Sequence, residues 1–205
     1  MGLDMYLSKT SEVNDINIAN VEIHEGGFKT GNIVINEADK KVVLDTLYRI
    51  NNITLKDGTS YYVSTVEDTD SLLITFKGWD EADNNNPIEL ITIDKDDIKS
   101  IHYTYAYWRK ANQIHNWFVQ NIQGGQDDQE DYTVLGSQLL ELVDICKEVL
   151  SKRDENFSKE NLPTVDGFFF GSTSYDEYYY TDLEETIEKL KDVQPNDEYT
   201  YGSSW

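Results

Sequence analysis

Cysteine is all but missing from this chain of 205 residues: Cys146 is the only one. No intramolecular disulfide can form, and a cysteine-based zinc site is excluded. Histidine is nearly as scarce. His24, His102 and His115 do not share the spacing that places two ligands on one helix face, so the sequence offers no metal site and no cofactor. No phosphate-binding glycine loop of the Walker type and no G-x-S-x-G elbow is present. Asp127, Asp128, Glu130 and Asp131 cluster, but the spacing and loop glycine of an EF-hand are missing, so they read as a solvated acidic loop. No apolar run approaches the length needed to span a membrane, and the first residues, M-G-L-D-M-Y-L, lack a basic leader region. Gly2 follows Met1, yet Tyr6 stands where a myristoylation signal needs Ser or Thr. These absences point to a cytoplasmic protein without membrane attachment.

Positive charge is the other shortage. Lys and Arg total 17 against 39 Asp and Glu, a net charge of −22. Residues 1–104 carry 9 basic and 19 acidic groups, and residues 123–205 carry 6 and 20. Between them, Tyr105–Ile122 has Arg109 and Lys110 and no acid. Such a surface repels a phosphate backbone, which argues against direct nucleic-acid binding. It steers the chain towards partners with a basic surface, including proteins that themselves bind nucleic acid. A large negative charge also simply keeps a small protein in solution.

What the chain has is hydrophobic mass, 39%, and aromatic mass, 12%, with 14 Tyr against 7 Phe. That is enough for a real core. Short strands are expected at Leu3–Ser8, Val21–His24, Asn32–Ile35, Ile53–Lys56, Tyr61–Val66, Leu72–Lys77, Ile88–Ile93 and Ile98–Tyr103. Asp57-Gly58 supplies a hairpin turn, and Ala38–Ile50 reads equally as helix or strand. Five strands between 50 and 104 suggest a small barrel of the SH3 or Sm-like type.

Three helices are then expected. Tyr105–Ile122 is closed by Gly124-Gly125. Ser137–Lys152 carries the stripe Leu139, Leu142, Val143, Cys146, Val149 and Leu150, which makes Cys146 a core residue rather than a nucleophile. A third helix starts at Thr173 or Ser174 and ends before Pro195. Phe157–Thr164 reads as a connector, Gly167–Gly171 as a buried strand or tight turn with its three phenylalanines in the core, and Tyr199–Trp205 as an extended tail.

The fold class is therefore α+β: a three-helix scaffold with an N-terminal strand (residues 1–10 and 105–205) and an inserted antiparallel β module (residues 11–104). Two sets of residues are candidates for function. On the first helix, Arg109 and Lys110 would hold an anion, Trp108 would stack on a planar group, His115 would move a proton, and Asn112 and Asn116 would fix orientation. The competing reading is a hydrogen-bonded core seam, with Asp176, Glu177 and Asp182 pairing Arg109 and His115. The second set, Tyr175, Asp176, Glu177, Tyr178 and Tyr179 with Trp79, Asp80 and Glu81, interleaves aromatic and acidic groups as protein-binding surfaces do.

The blocks M-G-L-D-M-Y-L at the start, Y-W-R-K-A-N-Q-I-H-N-W-F at Tyr107–Phe118, L-P-T-V-D-G-F-F-F-G-S-T-S-Y-D-E-Y-Y at Leu162–Tyr179 and the final Ser-Ser-Trp resemble a family of small proteins of bacteriophages and bacterial mobile elements that has no assigned activity. The resemblance spans the first strand and nearly all of 105–205, and residues 11–104 depart from it as an insert. It implies a phage accessory protein, a setting in which inhibitors of host defence such as CRISPR or restriction nucleases are frequent. It carries over no catalytic residue. The leading expectation is a non-enzymatic inhibitor of a host protein with a basic surface. The alternative is a protein or enzyme that binds a small ligand such as a nucleotide through Trp108–Asn116.

Overall fold

A computed structural model describes residues 2–13, 15–23, 29–37, 40–44, 49–63, 65–68, 73–77 and 91–205. The chain divides into two compact units, Met1–Ser8 with Ala106–Trp205, and Lys9–Tyr105. Strands β1 (Asp4–Glu12) and β10 (Ile98–Arg109) run through both.

In the first unit β1 lies between β10 and β12 (Glu198–Ser204), and β11 (Tyr132–Leu135) is the edge beyond β12. β1 and β12 pair antiparallel from Asp4↔Ser204 to Ser8↔Thr200, and β11 joins β12 from Tyr132↔Tyr201 to Leu135↔Glu198. Alternation sorts the side chains by face. Leu3, Met5, Leu7, Trp108, Val134, Tyr199 and Tyr201 are buried, while Tyr6, Tyr107 and Leu135 are exposed. Four helices belong to this unit: α1 (Asn112–Asn121), α2 (Gly136–Lys152), α3 (Glu155–Asn161) and α4 (Glu177–Lys189). Phe118 of α1 stacks on Tyr201, with ring centroids 3.8 Å apart and planes 8° from parallel. Burying a side chain of that size contributes about 1.5–3 kcal/mol. α2 sets Leu139, Leu142, Cys146 and Val149 into the core and packs against α4, which buries Tyr179, Tyr180, Leu183 and Thr186.

In the second unit β10 continues into a pairing with β5 (Ile50–Leu55), which pairs with β6 (Ser60–Tyr62) across the Asp57-Gly58 turn, Gly58 standing at φ +93°. Two separate three-stranded sheets also lie here. One is β2 (Asp15–Ile23), β3 (Lys29–Glu37) and β4 (Lys40–Leu44), and the other is β7 (Thr65–Asp68), β8 (Leu73–Lys77) and β9 (Ile91–Asp94).

Two expectations fail. Among the described residues there are four helices, not three, and no barrel. The largest sheet is open, in the order β11-β12-β1-β10-β5-β6 with β11 and β6 at its edges, and β7–β9 pair only among themselves. An SH3-like closure needs these short strands to share one continuous sheet, whereas β5 spends its two edges on β10 and β6. The additional helix, α3, hides in the supposed connector. Asp154 caps it, its Oδ1 accepting from the Phe157 amide at 2.8 Å.

The expected helix Tyr105–Ile122 begins as strand, over its first five residues. Tyr, Trp and Ala alternate in and out over 105–109, with Ala106 and Trp108 buried and Tyr107 and Arg109 exposed, which is a period of two. Lys110, at φ +60°, reverses the chain, and helix begins only at Asn112. The third helix begins at Glu177 rather than near Ser174, because the Asp176 carboxylate caps the Tyr178 and Tyr179 amides. The C-terminal tail is the paired strand β12.

Gly136 opens α2 where the chain passes the 194–197 turn. A Cβ there would sit 1.8 Å from the Gln194 carbonyl oxygen, whereas one at Gly2 would meet nothing nearer than the flexible Lys110 side chain, at 3.4 Å. Gly136→Ala is expected to lower the unfolding free energy by about 3 kcal/mol and Gly2→Ala by under about 0.5 kcal/mol, measured by urea titration.

Candidate functional site

Helix α1 carries three buried polar side chains in its first four residues, Asn112, Gln113 and His115. Each must find partners, since a buried polar group left unpaired costs about 1–3 kcal/mol. Asn112 donates to the carbonyls of Phe170 (3.2 Å) and Ser172 (2.8 Å) and accepts from the Val165 amide (3.1 Å). Asn116 donates to the Pro163 carbonyl at 3.0 Å. Together they fasten the 163–172 segment to α1. Gln113 reaches the other way and donates to Asp182 Oδ2 of α4 at 2.9 Å.

His115 is wholly buried. Its Nδ1 is 2.8 Å from the Tyr201 hydroxyl and its Nε2 is 3.1 Å from Asp127 Oδ2, with the Phe170 and Trp205 rings packed around it. Desolvation pushes the Tyr201 hydroxyl pKa well up. Trp108, at the end of β10, is equally enclosed. Its indole N–H donates to Thr186 Oγ1 of α4 at 2.9 Å, and that hydroxyl donates to the Asp182 carbonyl at 2.7 Å.

The six candidates Trp108, Arg109, Lys110, Asn112, His115 and Asn116 therefore do not converge. Trp108, Asn112 and His115 point into the interior and Asn116 holds a loop. Only Arg109 and Lys110 are exposed, and both line a cleft at the start of α4. The pairing also departs from expectation. Asp127 meets His115, and Asp4, not an α4 carboxylate, is the acid near Arg109, with Nε to Oδ1 at 4.0 Å. A carboxylate twelve residues away in a loop has no helical spacing to reveal it. Asp4 also accepts from the Tyr107 hydroxyl, whose pKa is pushed up to about 12 by desolvation and by that carboxylate.

Of the aromatic and acidic set, Tyr175 and Tyr179 turn inward. The Tyr175 hydroxyl accepts from the Thr164 amide at 3.1 Å, and the Tyr179 hydroxyl donates to the Leu162 carbonyl at 2.9 Å. Asp176 is the cap of α4, and Glu177 pairs with Arg153 at 3.2 Å. Tyr178 alone among the tyrosines of this set stands out, 81% exposed. Trp79, Asp80 and Glu81 lie outside the described residues.

The phenylalanines correct the sequence reading most sharply. Only Phe170 is buried; Phe168 is 77% and Phe169 53% exposed, their rings edge to face at 4.2 Å. Phe169 also holds φ +64°, a left-handed conformation that costs a bulky L-residue about 1–2 kcal/mol. A run of three identical apolar residues between glycines gave no hint of which one faces in.

Cys146 is buried, and desolvation pushes its thiol up to about 12, so it is no nucleophile near neutral pH. Among the described residues no group of three or more His, Cys, Asp or Glu side chains is placed to hold a metal ion, and no helix is long and apolar enough to cross a membrane. None of the protein-family models, curated proteins or solved structures compared with this chain matches it.

Burial raises the pKa of Asp182 from its ordinary value, against the opposing hydrogen bond from Gln113. A folded-state pKa above the unfolded one means that the folded chain binds the extra proton, so Asp182 weakens folding once the pH exceeds both values and stops doing so below them. Asp182→Asn keeps an acceptor for Gln113. It is expected to be more stable than the parent at pH 7, with the difference shrinking as the pH falls through the carboxylate range, followed by paired thermal melts.

Proposed function

We propose that this chain is a non-enzymatic, acidic accessory protein of a phage or mobile element, working in the host cytoplasm, where it binds and blocks a host protein with a basic surface, a defence nuclease being the leading class. The supporting observation is the pair of exposed phenylalanines. Phe168 and Phe169 stand at the tip of a loop fixed from below by Phe170 and Asn112, and the Phe169 backbone is held in a strained conformation. Strain persists where the surroundings over-determine it, and it gathers at functional positions. Preorganised aromatic groups anchor protein interfaces because little conformational freedom is lost when they bind.

Charge supplies the second part. The first unit carries 8 basic and 21 acidic groups. Several helix lysines are already spent on neighbours one turn away, such as Lys152 on Glu148 and Lys189 on Glu185. Acids such as Asp144 and Glu177 keep side chains about three-quarters exposed or more. An apolar anchor within a negative field fits a partner that offers an apolar pocket rimmed by Lys and Arg. The nucleotide reading is weaker, since its stacking residue, Trp108, and its proton carrier, His115, are both enclosed.

Phe169→Gly removes the ring and relieves the left-handed strain while adding glycine's chain entropy, terms of about 1 kcal/mol each that oppose one another. The variant is expected to melt within a few degrees of the parent yet to bind the protein captured from host lysate at least tenfold more weakly, and that capture is expected to fade in high salt. Undiminished capture by Phe168→Ala with Phe169→Gly, or capture indifferent to salt, would count against this reading.

A further inference from the structure

Strands β1 and β10 turn a second aromatic pair outward. Tyr6 is 41% and Tyr107 38% exposed, and their rings meet with centroids 5.3 Å apart and planes tilted by 43°. Two carboxylates flank the pair. On one side the Tyr107 hydroxyl donates to Asp4 Oδ1, and the same oxygen lies 4.0 Å from Arg109 Nε. On the other side the strand register sets Gly202 of β12 opposite Tyr6. Residues paired in this way share a face, with Cβ positions about 4.5–5.5 Å apart. A Cβ on Gly202 would lie 2.3 Å from Asp131 Oδ1. The Asp131 carboxylate therefore fills the place of the missing side chain, on the face from which Tyr6 rises and next to it.

The two carboxylates differ in what they have left to offer. Asp4 already has the Tyr107 hydroxyl and Arg109 as neighbours. Asp131 is exposed, and among the described residues it has neither a hydrogen bond nor an ion pair. It ends an acidic loop whose other aspartates are engaged, Asp127 with His115 and Asp128 with the Tyr132 hydroxyl and the Glu130 amide. Asp131 is thus the carboxylate that an incoming cation meets beside the rings.

This combination narrows the occupant. Tyrosine ring faces attract cations, and a guanidinium can lie on a ring while its edge meets a carboxylate through two hydrogen bonds. Aromatic sheet faces that stack nucleobases sit in positively charged grooves, whereas this one adjoins the acidic loop. A second copy of the chain would bring its own charge of −22. We propose that this face receives an arginine side chain from a basic segment of the partner protein, stacked on Tyr6 and paired with Asp131. The proposal rests on the reading that the partner is a host protein with a basic surface, and adds the residue presented here. The phenylalanine loop adjoins the same strand end: the Phe169 carbonyl accepts from the Leu3 amide at 3.4 Å, one residue before Asp4. One partner can therefore cover both.

The test is a low-salt titration of the full chain with a short synthetic peptide carrying three arginines, following the ring signals of Tyr6 and Tyr107 by NMR. Peptides with lysine or with neutral citrulline in place of arginine serve as controls. The arginine peptide is expected to shift both rings saturably, and to bind at least about threefold more tightly than the lysine form and tenfold more tightly than the citrulline form. Asp131→Asn and Gly202→Ala, which displaces the Asp131 carboxylate, are each expected to weaken binding about fivefold or more. Asp144→Asn removes the same charge from an exposed side chain on α2 and is expected to weaken it less than about twofold. Should Gly202→Ala fail to fold, Asp131→Asn and the control peptides decide the matter. No saturable ring shift up to about 10 mM peptide, equal binding of a control peptide, or equal weakening by Asp144→Asn would overturn the proposal, as would ring shifts that follow protein concentration alone, the mark of self-association. Since the peptide stands in for the partner, such a failure sinks this proposal alone, whereas undiminished lysate capture by the phenylalanine variants sinks the reading beneath it.

Discussion

The hydrogen bonds of one short helix govern the first unit. α1 is ten residues long and turns Asn112, Gln113 and His115 into a core otherwise built of aromatic and aliphatic groups. Every one of these must be matched or it costs about 1–3 kcal/mol, and the matching reaches into four separate stretches of chain. Asn112 ties down the 163–172 segment, Gln113 ties down α4, and His115 ties β12 to the acidic loop at Asp127. Exchanging any of these segments for another apolar one would leave a donor or acceptor stranded. The polar seam therefore specifies the arrangement in a way that non-directional hydrophobic burial does not. Gln123, just past the helix, departs from this pattern: neither polar atom of its buried amide has a hydrogen-bond partner among the described residues.

What the seam uses, the surface loses. With Trp108 and His115 enclosed, Arg109 and Lys110 are the exposed members of the six candidates, and Phe168 and Phe169 stay outside the core. The 163–172 segment joins the two consequences. Asn112 anchors its middle, Phe170 fills the space beside His115, and the chain must then turn back sharply, which places Phe168 and Phe169 outside and Gly171 against Lys110. The exposed phenylalanine pair and the Gly171 turn are thus two results of one loop closure.

Sequence alone carried part of this. The leucine and valine stripe over 139–150 has a clean helical period, and it coincides with α2. The Asp57-Gly58 turn was equally legible, because its positive φ needs the residue type seen there. Tyr105–Arg109 misled because aromatic residues dense enough for a helix face also alternate as a strand does, and sheet pairing with β1 decides between the two. Tyr132–Leu135 has four residues and no pattern of its own; it is a strand because β12 lies beside it. The core-seam reading of His115 and its neighbours could be framed from the cost of burying them. The identity of the partners could not, since Tyr201 and Asp127 stand 86 and 12 residues away.

The central claim is that the buried polar seam holds the fold, so that His115 and Tyr201 support one another. A double-mutant cycle on unfolding free energy, with His115→Gln, Tyr201→Phe and the double variant, tests it most directly. The account predicts a coupling of about 1 kcal/mol or more, with both single variants clearly destabilised. Additive effects, or single variants as stable as the parent, would contradict it.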